Sequence, residues 1–431
     1  MRVLGIGDHN DLGDLYLRLV ARGHDVRVHV ADVDSQDVLA GLVPFAGALD
    51  DELSWAADGL IVFEGTGYGA LQDRLRAEGR RVVGGSALGD RLELDRHFGQ
   101  RALAAAGMNT APAHEFSGFD DAIAFAEKHP RRYVLKFSGG GFSSTRTYVG
   151  ALDDGRDLLA LLRHQRRVWS YAETPQLLLM DHLQGVEVGV GGFFDGRQFL
   201  RPINVDFEHK RFFPDDLGEL TGEMGTVVSY RGADKLFSAT LARLSPMLCD
   251  ARHVGYVNLN LIVDERGAWP LELTCRFGYP GFAILSALHR EPWDSILLRV
   301  AAGEGGSFDT HDGYAVGVVL TVPPFPYPDG YARLSKGAPI CFRDDLDDDD
   351  RAALHYGEVG LDPRDGALVT AGQIGYVMVV TGRGATVADA RELALARARK
   401  VVVPNVRYRT DIGRRLESRD HAELVRLGWT T

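Results

Sequence analysis

A predicted β-hairpin carries oxygen donors and an arginine at alternate positions. The residues concerned are Glu272, Thr274 and Arg276 on one strand, and Asn258 and Asn260 on the other. Alternate residues of a strand share one face, so the two sets are predicted to meet across the hairpin. A carboxylate beside other oxygen donors suits Mg²⁺, and an arginine fork suits a phosphate or a substrate carboxylate. The alternative is an ordinary half-solvated sheet face.

Lys136 closes a predicted strand and is followed by a loop rich in glycine and hydroxyl side chains, residues 138–146. Glycines let backbone N–H groups approach a phosphate, and basic side chains neutralise its charge. The loop lacks the Gly-Lys-Ser/Thr of a Walker sequence. It is predicted to cover a phosphate, and the alternative is a hairpin tip without a ligand.

A third segment, Glu208-His209-Lys210-Arg211, places three basic residue types in a row shortly before a glycine-rich turn at 218–225. Such a run either receives a polyphosphate or forms a charged cluster on the surface.

The order of these segments resembles the phosphoribosylamine-glycine ligases of the ATP-grasp superfamily. In that family a strand ending in lysine precedes a glycine-rich lid loop, a hinge, a Gly-x-Glu, an Asp-His-Lys-Arg, a turn ending Gly-Met-Gly and a Glu-x-Asn-x-Arg-Phe-Gly strand. The corresponding segments here are 135–136, 139–144, 180–183, 185–187, 208–211, 221–225 and 272–278. Further matches at 317–320, 387–390 and 409–413 make the resemblance collinear over roughly residues 1 to 415.

The resemblance implies that ATP and Mg²⁺ activate a carboxylate as an acyl phosphate, which an amine then attacks. It implies Lys210 and Arg276 as catalytic residues at the transferred phosphate. Glu272 is the implied Mg²⁺ ligand. Thr274 stands at the place of a metal-binding asparagine of the family, and Asn260 is expected to help complete the coordination. The implied ATP-binding residues are Arg96, Lys136, Gly139, Gly140, Gly141, Phe142, Ser143, Ser144, Arg146, Met180, Asp181, His182, Leu183 and Glu187.

The substrate end departs from the family. Its N-terminal Asn-Gly-Gly-Arg-Glu-His is replaced by 7–12, where Asp8 and Asp11 would repel a phosphate. A Gly-Pro-Glu-Ala-Pro turn is replaced by residues that include Tyr68, and an Asp-Pro-Glu by residues that begin with Tyr279. Asp8, Tyr68 and Tyr279 are therefore predicted to contact an altered substrate.

Three functions fit these residues. The preferred one is an ATP-dependent carboxylate-amine ligase with an altered acid and amine, because the ATP segments are kept while the substrate segments are changed. The second is a genuine phosphoribosylamine-glycine ligase of purine biosynthesis. The third is a nucleotide-binding protein without ligase turnover, which Thr274 at the metal position would favour.

The predicted fold is α/β and α+β. Alternating strand and helix patterns over residues 1–92 predict an N-terminal parallel α/β domain. The resemblance adds an ATP-grasp domain at 93–325, with a mobile lid subdomain at about 112–185, and a small C-terminal α+β domain at 326–431. The glycines after the first strand lack G-x-G-x-x-G spacing, so NAD is not expected.

Composition narrows the partners. A formal charge of -12 argues against broad contact with a nucleic-acid backbone, and apolar runs are far shorter than the ~20 residues of a membrane span. Three widely separated cysteines indicate reduced thiols, without a disulfide framework or zinc site. Because no signal-peptide pattern opens the sequence, we expect a cytoplasmic monomer or homodimer whose partners are small-molecule carboxylic acids and amines.

Overall fold

The computed structural model of the chain describes residues 1–138, 147–170 and 175–430. Within these ranges, three sheets of four or more strands organise the chain. In the same ranges no helix has both the length and the apolar character needed to cross a bilayer.

The N-terminal part alternates strands and helices. Its elements are β1 (Arg2–Gly7), α1 (Gly13–Ala21), β2 (Asp25–Val30), α2 (Leu49–Trp55), β3 (Leu60–Phe63), α3 (Gly69–Ala77), β4 (Arg81–Val83), α4 (Ala87–Leu94) and α5 (Arg96–Ala105). The strands pair in parallel in the order β2-β1-β3-β4, which confirms the predicted parallel layer. Parallel strands end on the same edge, so the segments that follow β1 and β3, beginning at Asp8 and Glu64, lie side by side.

A second unit has a four-stranded antiparallel sheet. Its elements are β5 (Ala113–Ser117), α6 (Phe119–Lys128), β6 (Tyr133–Ser138), β7 (Tyr148–Val149), α7 (Arg156–Val168) and β8 (Gln176–Asp181), with strand order β5-β8-β6-β7. Leu135 and Leu179 pack with Leu158 and Leu162 of α7 in a core of their own. The unit falls within 112–185, and its predicted role as a mobile lid stays a prediction.

The largest sheet has eight strands, and every neighbouring pair is antiparallel. Its first part comprises β9 (Val186–Asp195), β10 (Asn204–Glu208), β11 (Arg211–Phe213), β12 (Leu217–Leu220), β13 (Gly225–Ser229), α8 (Asp234–Ala239), α9 (Ser245–Asp250), β14 (Val254–Asp264), β15 (Gly267–Thr274), α10 (Gly281–Ser286) and α11 (Trp293–Ala302). Of these strands, β11 and β12 form a separate two-stranded ribbon.

The C-terminal part completes the large sheet. Its elements are β16 (Tyr314–Thr321), α12 (Tyr331–Leu334), β17 (Cys341–Phe342), α13 (Asp348–Ala352), β18 (Leu354–Tyr356), β19 (Val359–Leu361), β20 (Leu368–Thr370), β21 (Tyr376–Gly384), α14 (Val387–Ala398), β22 (Val401–Val402) and α15 (His421–Arg426). The full strand order is β15-β14-β9-β10-β13-β16-β21-β18. The sheet therefore continues across the proposed limit at residue 325, because β16 and β21 pair directly.

Candidate active site

One face of the large sheet carries a row of polar side chains that crosses β10, β9, β14 and β15. Asp206 lies opposite Gly189, Gly189 opposite Asn260, and Asn260 opposite Glu272. Residues paired directly across antiparallel strands share a face. The predicted meeting of Asn260 with Glu272 across the hairpin is confirmed.

A second row runs parallel to the first, in the order Asn204, Gly191, Asn258 and Thr274. Thr274 thus faces Asn258, and Asn260 is the cross-strand partner of Glu272. A Cβ at Gly191 would overlap the hydroxyl of Tyr256. The two glycines of β9 therefore leave the space that the polar side chains beside them occupy.

Lys210 lies where three carboxylates converge. Its Nζ is 2.8 Å from Glu208 Oε2, 3.1 Å from Glu272 Oε1 and 3.7 Å from Glu187 Oε1. Burial lowers the pKa of Lys210, but the charges of the three carboxylates outweigh burial and hold this pKa well above its usual value. The charge of Lys210 in turn holds the pKa of Glu272 well below its usual range. Lys210 is therefore a permanent cation at the centre of the site.

The oxygen donors around Glu272 fit a magnesium ion that arrives with a nucleotide. Mg²⁺ is usually held by one or two carboxylates together with phosphate oxygens. In the described ranges, no three acidic, histidine or cysteine side chains form a closed metal site. The ammonium of Lys210 already rests against Glu272, so this carboxylate accommodates a cation. The amide of Asn260 donates to Glu187 at 2.9 Å and to Glu208 at 3.2 Å, which orients these two carboxylates.

A cavity of about 400 Å³ lies between the small antiparallel sheet and the large sheet. Predicted nucleotide-binding residues from separate parts of the sequence line it together: Arg96, Lys136, Met180, Asp181, His182, Leu183 and Glu187. Burial lowers the pKa of Lys136 to about 8, with Glu272 opposing this effect and Arg96 and Lys210 adding to it. Asp181 is partly engaged, because Arg131 Nη1 donates to its Oδ2 at 2.9 Å.

The remaining predicted nucleotide contacts are Gly139, Gly140, Gly141, Phe142, Ser143, Ser144 and Arg146. They lie outside the described residues. The strands on either side of this segment, β6 and β7, pair antiparallel, with Val134 opposite Val149.

A larger cavity of about 610 Å³ adjoins the first and shares Lys210, Gly222 and Glu272 with it. Its lining includes Asp11 from the N-terminal part and Tyr376 from the C-terminal part. The wall shared by the two cavities is where a group transferred from one to the other would pass.

Arg276 lines the larger cavity and is held by Glu93 of α4. Its Nε donates to Glu93 Oε1 at 3.1 Å, while Glu93 Oε2 accepts the backbone N–H of Cys275 at 2.9 Å. The Glu93 carboxylate therefore holds Arg276 in place just after the end of β15. Sequence reasoning did not identify Glu93, because its partner lies 183 positions away.

Two of the three predicted substrate residues, Asp8 and Tyr68, contact each other but are not among the residues that line the larger cavity. The Tyr68 hydroxyl donates to Asp8 Oδ1 at 2.6 Å, whereas Tyr279 lines the cavity directly. The N-terminal lining residues are His9, Asn10 and Asp11. A contact of Asp8 or Tyr68 with substrate stays a prediction.

The three basic residue types at 209–211 have three different environments. His209 is buried, its Nε2 accepts the backbone N–H of Gly413 at 3.0 Å, and burial lowers its pKa to about 4. Arg211 donates to the carbonyl of Gly218 at 2.6 Å. Lys210 lines both cavities. The run is therefore neither a triple phosphate clamp nor a uniform surface cluster.

Sequence reasoning also missed three carboxylates of the larger cavity, Asp206, Glu223 and Glu358. One signal was present for Asp206. Polar residues alternate with apolar ones along β10, at Asn204, Asp206 and Glu208, just as they do along the two strands of the hairpin. Glu223 carries no comparable signal, since it lies in the turn before β13.

Two family models match the chain. Residues 94–282 match the phosphoribosylglycinamide synthetase ATP-grasp (A) domain, and residues 315–415 match the phosphoribosylglycinamide synthetase C domain. The first range contains Lys136, Lys210 and Glu272, so the lining of the smaller cavity lies inside the matched ATP-grasp domain.

Individual relatives agree with this assignment. Phosphoribosylamine-glycine ligase from Corynebacterium ammoniagenes is 28% identical over 360 residues, which cover 80% of each chain. The enzyme of that name from Brucella melitensis is 27% identical over 425 residues, covering 95% of this chain and 94% of that one. The crystal structure of phosphoribosylamine-glycine ligase from Thermotoga maritima shares the fold with a TM-score of 0.71 and 21% identity, covering 96% of this chain and 100% of that one. The chain therefore belongs to the ATP-grasp superfamily as an ATP- and Mg²⁺-dependent C–N bond-forming ligase that resembles phosphoribosylamine-glycine ligase.

Proposed function

We propose that this chain joins a carboxylic acid to an amine other than the glycine and phosphoribosylamine pair of its named relatives. ATP would occupy the 400 Å³ cavity and the acid and amine the 610 Å³ cavity. The observation that carries this proposal is the wall that the cavities share at Lys210, Gly222 and Glu272.

The first chemical step follows from the charges at that wall. A carboxylate oxygen of the acid attacks the γ-phosphorus of ATP, the bond to the bridging oxygen breaks, and ADP leaves. Lys136 and Lys210 would neutralise the phosphates, while Glu272, with Asn260 and Thr274 nearby, would hold Mg²⁺. When bound, Mg²⁺ supplies further charge neutralisation at the phosphate oxygens.

The second step forms the C–N bond. The amine attacks the carbonyl carbon of the acyl phosphate, and phosphate leaves with the electron pair of the C–O bond. The chain's contribution is to hold the reacting groups together and to exclude water, because an acyl phosphate hydrolyses when water reaches it. Arg276, fixed by Glu93, would orient the acid or the leaving phosphate.

An altered substrate is supported by the charges of the larger cavity. Among its described lining residues the permanent cations are Lys210, which is surrounded by carboxylates, and Arg276, which is paired with Glu93. Asp11 lines the N-terminal end, with Glu64 buried nearby. Burial, and after it the charge of Asp11, raises the pKa of Glu64 to about 8, so Glu64 is mostly protonated near pH 7 and Asp11 supplies the negative charge at this end. A phosphoribosyl group would be repelled there.

The test is ADP release by the purified chain with Mg²⁺-ATP and a panel of carboxylic acids crossed with amines. The panel includes glycine with phosphoribosylamine, and products are identified by mass. We expect at least one pair other than glycine and phosphoribosylamine to raise ADP release at least tenfold. A Glu272→Gln variant, which keeps the shape of the side chain but loses its charge, should abolish this stimulation.

Two outcomes would contradict the proposal. If glycine with phosphoribosylamine is the best pair, and the chain restores growth to a strain lacking that purine enzyme, the substrates are unaltered. If ATP binds but no pair yields product, the chain is not a ligase of these substrate classes.

A further inference from the structure

The larger cavity contains two buried carboxylates that each have an oxygen without a hydrogen-bond partner. Asp206 is 5% exposed and Glu223 is 6% exposed. The unpartnered atoms are Asp206 Oδ1 and Glu223 Oε1. Burying such an atom is costly unless a ligand supplies the missing partner. Both residues line the cavity, so a ligand within it can reach them.

Asp206 is positioned by a network on the sheet face. Its Oδ2 accepts from Asn204 Nδ2 at 3.0 Å and from Asn258 Nδ2 at 2.6 Å. The Tyr256 hydroxyl donates to Asn204 Oδ1 at 2.9 Å, which fixes that amide. A Cβ at Gly189 would overlap the Asp206 carboxylate. One oxygen is therefore held rigidly and the other is left for a ligand.

Negative charge is in excess at this place. The charges of Glu208 and Asp206 both act to raise the pKa of Glu223, and burial acts in the same direction. Burial and the charge of Glu208 raise the pKa of Asp206 to about 7. Lys210 only partly offsets these charges, since it contacts Glu208, Glu272 and Glu187. A cationic group in the cavity would relieve this repulsion.

Two tyrosines form an aromatic wall of the same cavity, and one of them contacts Glu223. The rings of Tyr279 and Tyr376 lie 5.1 Å apart, edge to face. The backbone N–H of Glu223 donates to the Tyr376 hydroxyl at 3.3 Å, and the buried Tyr279 hydroxyl has no hydrogen-bond partner. Ring faces attract organic cations and pack against their carbon chains. The wall therefore suits a cation that carries hydrocarbon.

We propose that Asp206 and Glu223 form a binding site for the primary ammonium group of an organic substrate. The ammonium belongs either to the attacking amine or to an amino acid that serves as the carboxylate substrate. This site rests on the proposed function for its place in the reaction, but its occupancy can be measured without turnover.

The proposal assigns a path for the protons when the ammonium belongs to the attacking amine. R–NH₃⁺ gives one proton to the Asp206 carboxylate, and the freed lone pair forms the C–N bond to the acyl phosphate. The C–O bond to phosphate breaks with its electron pair on phosphate. The nitrogen then loses its second proton to solvent as the amide forms.

The experiment measures binding of n-butylamine, its neutral isostere n-butanol, and γ-aminobutyrate to the full-length chain by titration calorimetry. We expect butylammonium to bind at least tenfold more tightly than butanol. Asp206→Asn and Glu223→Gln should each weaken butylammonium binding at least fivefold. Asp344→Asn and Glu78→Gln, which remove one charge each from exposed positions, should have no effect.

The number of protons released when butylammonium binds distinguishes a binding role of Asp206 and Glu223 from a purely structural one. A carboxylate with a raised pKa holds a proton in the free protein, and a bound ammonium favours the ionised form, so binding should release protons near pH 7. Titrations in two buffers of different ionisation enthalpy measure this release. It should fall in Glu223→Gln even if Asp206→Asn proves unstable.

The two sources of the ammonium give different results. Tighter binding of γ-aminobutyrate than of butylamine places the group on the acid substrate, and the reverse places it on the amine substrate. Equal binding of butylamine and butanol, or unchanged butylamine binding in both variants, would overturn the proposal. These results do not depend on ADP release, so failure of this site and failure of the proposed ligase activity are distinguishable.

Discussion

The two cavities that meet at Lys210 differ in their balance of charge: cations and carboxylates are equal in number in the smaller lining, and carboxylates predominate in the larger one. The smaller one is lined by Arg96, Lys136 and Lys210, where we propose that the phosphates bind. The larger one is lined by Asp206 and Glu208 from β10 and by Glu223 from the turn before β13. Lys210 and Glu272 belong to both.

This difference explains how an acidic chain can bind ATP. A local set of cations attracts the phosphates whatever the net charge of -12. The same difference in charge distinguishes the resemblance of the nucleotide cavity to the named relatives from that of the substrate cavity. Under the proposed function, the nucleotide half keeps the chemistry that the family motifs imply, and the substrate half serves a different acid and amine.

The largest effect is expected from Lys210, the cation that lines both cavities. Lys210→Met should lower kcat for ADP release by roughly 10²–10³, because it removes a preorganised cation from the transferred phosphate. It should also raise the pKa of Glu272, whose lowered value depends mainly on Lys210. Steady-state kinetics with the best substrate pair check this, and Lys210→Arg should retain more activity. Equal activity of Met and wild type would contradict the shared role.

The nucleotide cavity can be tested alone through Lys136. Loss of its charge-assisted contact in Lys136→Ala should weaken ATP binding roughly 10- to 100-fold, with little change in butylammonium binding.

The pH dependence of ATP binding gives a sharper test of Lys136. Its pKa is about 8 in the free chain, and phosphate should raise it further. Above pH 8 ATP binding should therefore take up a proton and weaken as pH rises, whereas well below pH 8 the lysine is already charged. Calorimetry between pH 7 and 9 checks this. Retention of the same slope in Lys136→Ala would assign it to another group.

The substrate cavity can be tested alone by adding one methyl group. In Gly189→Ala the new Cβ would overlap the Asp206 carboxylate and force it to move, which typically costs 1–3 kcal/mol. Butylammonium binding should weaken about tenfold, while ADP affinity should stay within twofold. Weakening of both ligands together would mean that the substitution disturbs the sheet rather than the site. Gly196→Ala is not a suitable control, because Gly196 has a positive φ of 90°.

The smallest expected effect concerns the support of Arg276. Glu93→Gln removes the charge that faces Arg276 Nε but keeps a hydrogen-bonding group, so we expect a rise in KM for the acid of about 3-fold with kcat nearly unchanged. A change in kcat alone would place Arg276 at the transferred phosphate instead. The measurement is a KM and kcat comparison with the best substrate pair.

Much of the nucleotide half could be predicted from the sequence, because its residues lie in short segments with a recognisable order. Alternation along the hairpin fixed which side chains share a face, and the register of Asn260 with Glu272 bears this out. The parallel N-terminal sheet followed from alternating strands and helices. The ATP contacts of all residues in the nucleotide half remain predictions, and those from Gly139 to Arg146 also lie outside the described residues.

The substrate half was much less predictable. Asp206 comes from a strand and Glu223 from a turn, and only the pairing of β10 with β9 and β13 brings them to one cavity. Tyr376 and Asp11 reach the same cavity from opposite ends of the chain. The alternation of polar residues along β10 could be read from the sequence, but no local feature showed which face of β10 would line a cavity.

The family resemblance and the side chains that share a face of the hairpin could be read from the sequence, since they depend on local spacing and period-two alternation. The predicted end of a strand at Lys136 was wrong, because β6 continues to Ser138 through its pairing with β8. Tertiary structure alone decided which carboxylates lie beside Lys210, which arginine Glu93 holds, and which polar oxygens are buried without a partner. These properties depend on distances between residues far apart in the chain, and on the burial that raises or lowers their pKa values.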